Sequence, residues 1–205
     1  MSIARIPLCL LALGAFAGAS AHAQSSSPAH GAVLSELRNG FSSGERVGVL
    51  QSGPNCEEQT DRSWSELLAK RVDIELPRAF EEEMSRAGSP APAGSANTQP
   101  LRVQAFVNKL DIRVCQAASA MWKGGFQVQI GWQVMSADGT QVLYRASTEG
   151  SYVLDQPQHM ATADALREAF GQAVRRLVAE PRFASLLKPQ DAPVMSVAYQ
   201  GVDTR

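Results

Sequence analysis

Three cysteines, three histidines and the run Glu81-Glu82-Glu83 are the residues of this chain best able to do chemistry. Cys9 falls in an apolar amino-terminal stretch, which leaves Cys56 and Cys115 as an even pair. An even pair in an oxidising compartment reads as one disulfide. Closing a loop of about 60 residues stabilises by roughly 4 kcal/mol in the chain-entropy account. Redox-active pairs usually need Cys-x-x-Cys proximity and a helix N-terminus to lower a thiol pKa; these two cysteines are far apart. Neither His30 nor His159 has a second His or Cys at ligand spacing, so no zinc or copper site is expected. A Ser-His-Asp set drawing on Asp155 and His159 lacks a nucleophile elbow, and Gly40-Phe41-Ser42-Ser43-Gly44 only superficially resembles one. On a helix the three glutamates fan over about 200 degrees and do not converge on one ion; they read as a solvated face. Gly124-Gly125 precedes a strand rather than a helix, so it is not a phosphate-binding loop. The expectation is no catalytic residue, no metal and no cofactor.

The amino terminus carries an address. Arg5 supplies a positive charge, Ile6 to Ala17 is apolar, and Ala21-His22-Ala23 places small residues before Gln24. This is the pattern of a secretory signal peptide over 1–23, with an apolar region too short for a membrane anchor. No later apolar run approaches the roughly 20 residues of a spanning helix. With 19 Lys+Arg against 20 Asp+Glu, the formal net charge of −1 gives no field suited to nucleic acid or an anionic membrane.

The elements must position whatever the chain binds. Residues 24–45 read as a mostly disordered lead, in which Val33, Leu34 and Leu37 could form a short helix. A single domain is expected over 46–187, and 188–205 reads as a loose tail. Arg46 to Leu50 reads as a strand, and Trp64 to Ala87 as helical. Ser63 and Glu66 would make a capping box, and Pro77 is expected to divide the helix near Ile74–Leu76. Residues 88–100, rich in Pro, Gly, Ala and Ser, read as a flexible connector.

Two apolar phases then follow: Leu101, Val103, Ala105 and Val107, and next Leu110, Ile112 and Val114. The slip of one residue predicts a β-bulge near Asn108–Lys109. Phe126 to Val134 alternates cleanly, and Asp138-Gly139 marks a hairpin leading to a strand from Val142. Thr162 would cap a helix whose stripe is Ala163, Leu166, Phe170, Ala173, Val174 and Leu177. Arg167, Glu168, Arg175 and Arg176 face away from that stripe, and Glu180-Pro181 ends the helix. The predicted fold is α+β: a two-layer sandwich with a mainly antiparallel four-stranded sheet, covered on one face by helices, in the order β-α-β-β-β-α.

Residues Cys115 to Lys123 read as a loop, and Met121, Trp122 and Lys123 are its candidate partner-binding residues. Capping of the core by Met121 and Trp122 is the plainer reading. The wet sheet face, with Gln127, Gln129, Gln133, Arg145 and Glu149, is a second candidate surface.

Val107 to Leu187 holds a Cys followed by a Gly-containing loop, Gly131-Trp132-Gln133-Val134, a hairpin and Thr148-Glu149-Gly150. Ala165-Leu166-Arg167-Glu168-Ala169-Phe170 and a closing Phe183 follow. This set is similar to a non-catalytic N-terminal domain of secreted bacterial trypsin-like serine proteases. The protease's own His, Asp and Gly-Asp-Ser-Gly motif are not present, so the resemblance implies no catalytic role. More loosely, the layout over Val47 to Leu187 resembles the auxiliary component of ABC-type lipid transporters and related periplasmic envelope proteins. Export and these resemblances together imply a periplasmic or secreted, non-enzymatic domain whose partner is another envelope protein. The alternative is a carrier or sensor of a small apolar ligand held between sheet and helices.

Overall fold

Alternation of apolar and polar residues becomes a sheet with one dry face. The computed structural model describes residues 31–68, 72–89, 99–117, 121–159 and 161–188. The stretch 1–23 expected as a signal peptide, most of the 88–100 segment and nearly all of 188–205 lie outside them. The order is β1 (Ala32–Asn39), β2 (Arg46–Ser52), β3 (Glu58–Ser63), α1 (Trp64–Leu68), α2 (Val72–Arg86), β4 (Leu101–Ala117), β5 (Met121–Met135), β6 (Val142–Gln158), α3 (Thr162–Ala179) and α4 (Pro181–Leu187).

The class is α+β, as expected, but the sheet is six-stranded, mixed and open. Its path is β3-β2-β4-β5-β6, with β1 also paired to β4. β1 and β2 both run parallel to β4, at opposite ends of that long strand, while β2–β3, β4–β5 and β5–β6 are antiparallel. The four-stranded, mainly antiparallel sheet is therefore corrected in two ways. The stretch around Val33, Leu34 and Leu37 is β1, not a helix or disordered lead. Its short apolar phase is interrupted where the register shifts between Leu34 and Glu36, and the hydroxyl of Ser35 there donates to the Val103 carbonyl at 3.1 Å. β3 carries no apolar alternation at all, so periodicity had nothing to detect.

The bulge stands where the phase slip put it, with the β4–β5 register shifting between Val107 and Lys109. Val103, Ala105 and Val107 before it, and Leu110, Ile112 and Val114 after it, are all buried. The Asp138-Gly139 hairpin also forms. The Gly139 N–H donates to the Ser136 carbonyl at 2.8 Å, and Gly139 takes a φ of 76°, a conformation glycine adopts without steric cost.

α3 lies on the dry face, its buried stripe running from Ala165 to Leu177 and packing on β6 and β5. Thr162 does not cap it; Ala161 is the N-cap, without a side-chain bond. Glu180 ends it and Pro181 opens α4, where Pro costs no hydrogen bond. α2 runs through Pro77 instead of breaking there. No break falls at the expected Ile74–Leu76, which lie within α2. No capping box forms at Ser63, because the Glu66 carboxylate accepts from Arg62 at 3.0 Å.

Two of the three glutamates are tied to α3, and one of them is buried. Glu83 is buried and accepts from Arg86 and Arg175, while Glu82 accepts from Arg167 at 2.5 Å. Bonding to Glu82 raises the Arg167 pKa further above its ordinary value. Arg167 and Arg175 thus join α3 to α2 rather than simply facing away.

Candidate functional site

The pair expected to be covalent is covalent. Cys56 and Cys115 form a disulfide with Cα atoms 5.6 Å apart. It ties the turn between β2 and β3 to the far end of β4. Cys56 has a φ of 58°, in the left-handed region that non-glycine residues rarely occupy.

Met121, Trp122 and Lys123 do not lie in a long loop. β4 continues to Ala117 and β5 begins at Met121, with Gln116 opposite Trp122 and Cys115 opposite Lys123. Trp122 is half-buried and packs against the core, whereas Lys123 is exposed beside the disulfide on the opposite face. Alternation along β5 therefore separates the two candidates, and the strand does not bring all three together. The loop reading missed this because Lys123, Gly124 and Gly125 break the apolar alternation. At Gly124 (φ 137°) an added Cβ would stand 2.1 Å from the Arg113 carbonyl oxygen, so the glycine permits the close strand approach.

The dry face is filled. Trp132 packs between Phe80 and Phe170, with ring centroids 6.2 and 5.7 Å away, and all three are fully buried. Beside them α3 rests its backbone on Gly150, where a Cβ would come within 1.8 Å of the Ala169 carbonyl oxygen. Side chains thus occupy the level at which a small apolar ligand would lie between sheet and helices.

The opposite face is polar and divides at the bulge. On the β1 side its groups satisfy one another. Glu36 pairs with Arg38 and accepts from Gln104 at 3.0 Å; Gln104 in turn accepts from Gln133 at 3.3 Å. Arg38 also lies 5.9 Å from the centroid of the Phe106 ring.

Beyond the bulge the rows Lys109–Gln129–Glu149, Asp111–Gln127–Ser151 and Arg113–Gly125–Val153 cross the three long strands. Arg113 pairs with Asp111 at 3.1 Å. Lys109, Gln127 and Glu149 are exposed, as is Val153 at 60%. Two grooves meet along Lys109, Asp111 and Arg113: one of about 490 Å³ toward Gln127 and Val153, the other of about 500 Å³ toward Val49, Gln51 and Gln59. Small-molecule sites have similar volumes, about 300–1,000 Å³, but they are concave and mostly apolar. These grooves are open and edged with charge, which suits a protein surface.

The other chemical candidates stay apart. His159 is exposed just past β6. Gly40-Phe41-Ser42-Ser43-Gly44 lies between β1 and β2, where Phe41 stacks on Trp64 with centroids 5.4 Å apart. Among the described residues no group of three His, Cys, Asp or Glu stands close enough to hold a metal, and no helix is long and apolar enough to cross a membrane.

No family model matches this chain, and no curated protein does. Solved structures are similar in part. A candidate lipoprotein from Caulobacter crescentus CB15 is 18% identical, covering 57% of this chain and 83% of that one, with a TM-score of 0.35. A Xanthomonas campestris protein of the DUF330 family is 14% identical, covering 80% and 88%, with a TM-score of 0.36. A minor lipoprotein from Acinetobacter baumannii is 6% identical, covering 75% and 96%, with a TM-score of 0.35. Two of these three are named as lipoproteins, none is named as a leader domain of a trypsin-like protease, and likeness of this degree assigns neither family nor activity.

Proposed function

We propose that this chain is an exported, non-enzymatic envelope accessory domain that binds another envelope protein through the polar sheet face beyond the bulge. The observation carrying this reading is the contrast between the two faces. One is packed by α2 and α3; the other presents Lys109, Gln127 and Val153 along open grooves. Lys123 extends that surface beside the disulfide, while Trp122, on the other side of the same strand, belongs with Met121 to a second contact at this end of the sheet. In that second contact Trp122 offers the exposed part of its ring, in keeping with the enrichment of Trp at interface centres. A Cys56–Cys115 disulfide fits an oxidising envelope compartment, as does the amino-terminal export pattern.

The test is in-cell crosslinking of the tagged chain, followed by mass spectrometry of what co-purifies. One reproducible envelope partner is expected, with its yield lowered by Lys109→Glu and by Trp122→Ala in folded protein. Capture unchanged by Lys109→Glu would remove this face from the proposal, and capture unchanged by Trp122→Ala would remove the second contact.

A further inference from the structure

The last strand of the sheet has an edge that no strand among the described residues covers. β6 is 17 residues long and terminal in the sheet. Along it Leu143, Arg145, Ser147 and Glu149 are all exposed. Where the edge is closed, the device is visible: the Ser151 N–H donates to the Gln172 side chain of α3 at 2.6 Å. That bond sets the parity of the strand. Pairing with β5 is regular from Ser147 to Ser151, so the backbone groups of Ser147 and Glu149, like those of Ser151, point away from β5. Native proteins blunt such edges with Pro, Lys or bulges, because unpaired N–H and C=O groups template further pairing. Leu143 stands at a register shift, and the segment Tyr144–Glu149 beyond it contains no Pro, Lys or further shift; its charges are Arg145 and Glu149.

The charges on this edge are complementary to themselves. Arg145 faces Gln133 and Glu149 faces Gln129 within the sheet, so neither meets an opposite charge across β5. Antiparallel pairing of two β6 edges about Ser147 sets Arg145 of each copy opposite Glu149 of the other, twice. A slip of two residues either way leaves both charges opposite Ser or Leu, and a slip of four sets Arg145 against Arg145 or Glu149 against Glu149. Charge therefore selects one register, since opposite charges directly across a strand pair stabilise and like charges destabilise.

We propose that β6 pairs with β6 of a second copy of this chain, centred on Ser147, joining two six-stranded sheets into one. The proposal is independent of any envelope partner, because it uses the strand edge rather than the grooves around Lys109.

Sedimentation velocity of the purified, oxidised chain across a concentration series tests it. A reversible monomer–dimer equilibrium is expected. Arg145→Glu and Glu149→Arg should each raise the dimer dissociation constant by about tenfold or more, since each sets like charges opposite at both symmetric contacts. Combining the two reversals should recover the dimer. Ser147→Pro should abolish it while leaving the fold intact by circular dichroism, since Pro is tolerated where a strand N–H faces solvent. A chain that stays monomeric at every concentration would overturn the proposal. So would a dimer indifferent to both single reversals, or a folded double variant that stays monomeric.

Discussion

Trp132 and Thr148 are joined across the β5–β6 ladder by the indole N–H, which donates to the threonine hydroxyl at 2.7 Å. That hydroxyl then donates to the Ala173 carbonyl at 2.8 Å. One buried hydroxyl therefore links the centre of the sheet to the middle of α3. It also satisfies the indole, which otherwise lies wholly among apolar side chains.

Thr148→Val keeps the shape and removes the link. The indole N–H would be left buried without an acceptor, at a cost of about 1–3 kcal/mol. Thr148→Ser retains the hydroxyl and should recover most of that loss. Urea unfolding of the three proteins measures both differences.

Gly150→Ala should be among the most damaging small changes in the molecule. Its Cβ would fall 1.8 Å from the Ala169 oxygen and 2.7 Å from the Ala173 nitrogen, so α3 must lift from the sheet. A loss of about 3 kcal/mol or more is expected for such overpacking. Gly131→Ala is the control: its Cβ meets only the Asn108 side chain, at 2.8 Å, and that side chain can move. A thermal shift of equal size in both variants would contradict this account.

The native chain should show no free thiol between Cys56 and Cys115 when denatured without reductant. The disulfide closes a loop with a sequence separation of 59. Replacing both cysteines by Ala should lower stability by about 4 kcal/mol in the chain-entropy account. Thiol counting and denaturant unfolding check the two statements separately.

Asp138 holds the β5–β6 turn through its carboxylate. The Ser136 hydroxyl, the Thr140 N–H and the Thr140 hydroxyl donate to it, and they lower its pKa from 3.8 to about 2. A depressed carboxyl stabilises the fold fully above its unfolded value and loses that effect as pH falls through the folded one. The turn's contribution should thus be constant above about pH 4 and fade toward about pH 2. A carboxyl-carbon NMR titration with its midpoint near 3.8 would show that these bonds do not hold in solution.

Period and phase carried much of the architecture into the sequence. The bulge, the hairpin at Asp138-Gly139 and the α3 stripe were legible because each rests on local alternation. β1 and β3 were not. β3 buries no apolar side chain against β2: Glu58, Gln59, Thr60 and Asp61 are all exposed, and its side-chain contacts to β2 are polar, from Arg46 and Ser52. Beside the local Arg86, Glu82 and Glu83 each take a partner from α3, far along the chain, so no local pattern signals that contact. The candidate surface was half legible. Gln127 and Gln129 declared a wet face, but Lys109, Asp111 and Arg113 join it only because the bulge and the parallel neighbour β2 place them there.

The bulge in β4 works as a reading frame. Ahead of Asn108 the odd-numbered residues are buried, and after Lys109 the even-numbered ones are. Deleting that single extra residue would leave composition almost untouched, yet turn Leu110, Ile112 and Val114 out to water and Lys109, Asp111 and Arg113 into the core. The strand should therefore tolerate many substitutions near the bulge and no change of length, as a code tolerates misspelling but not a dropped letter.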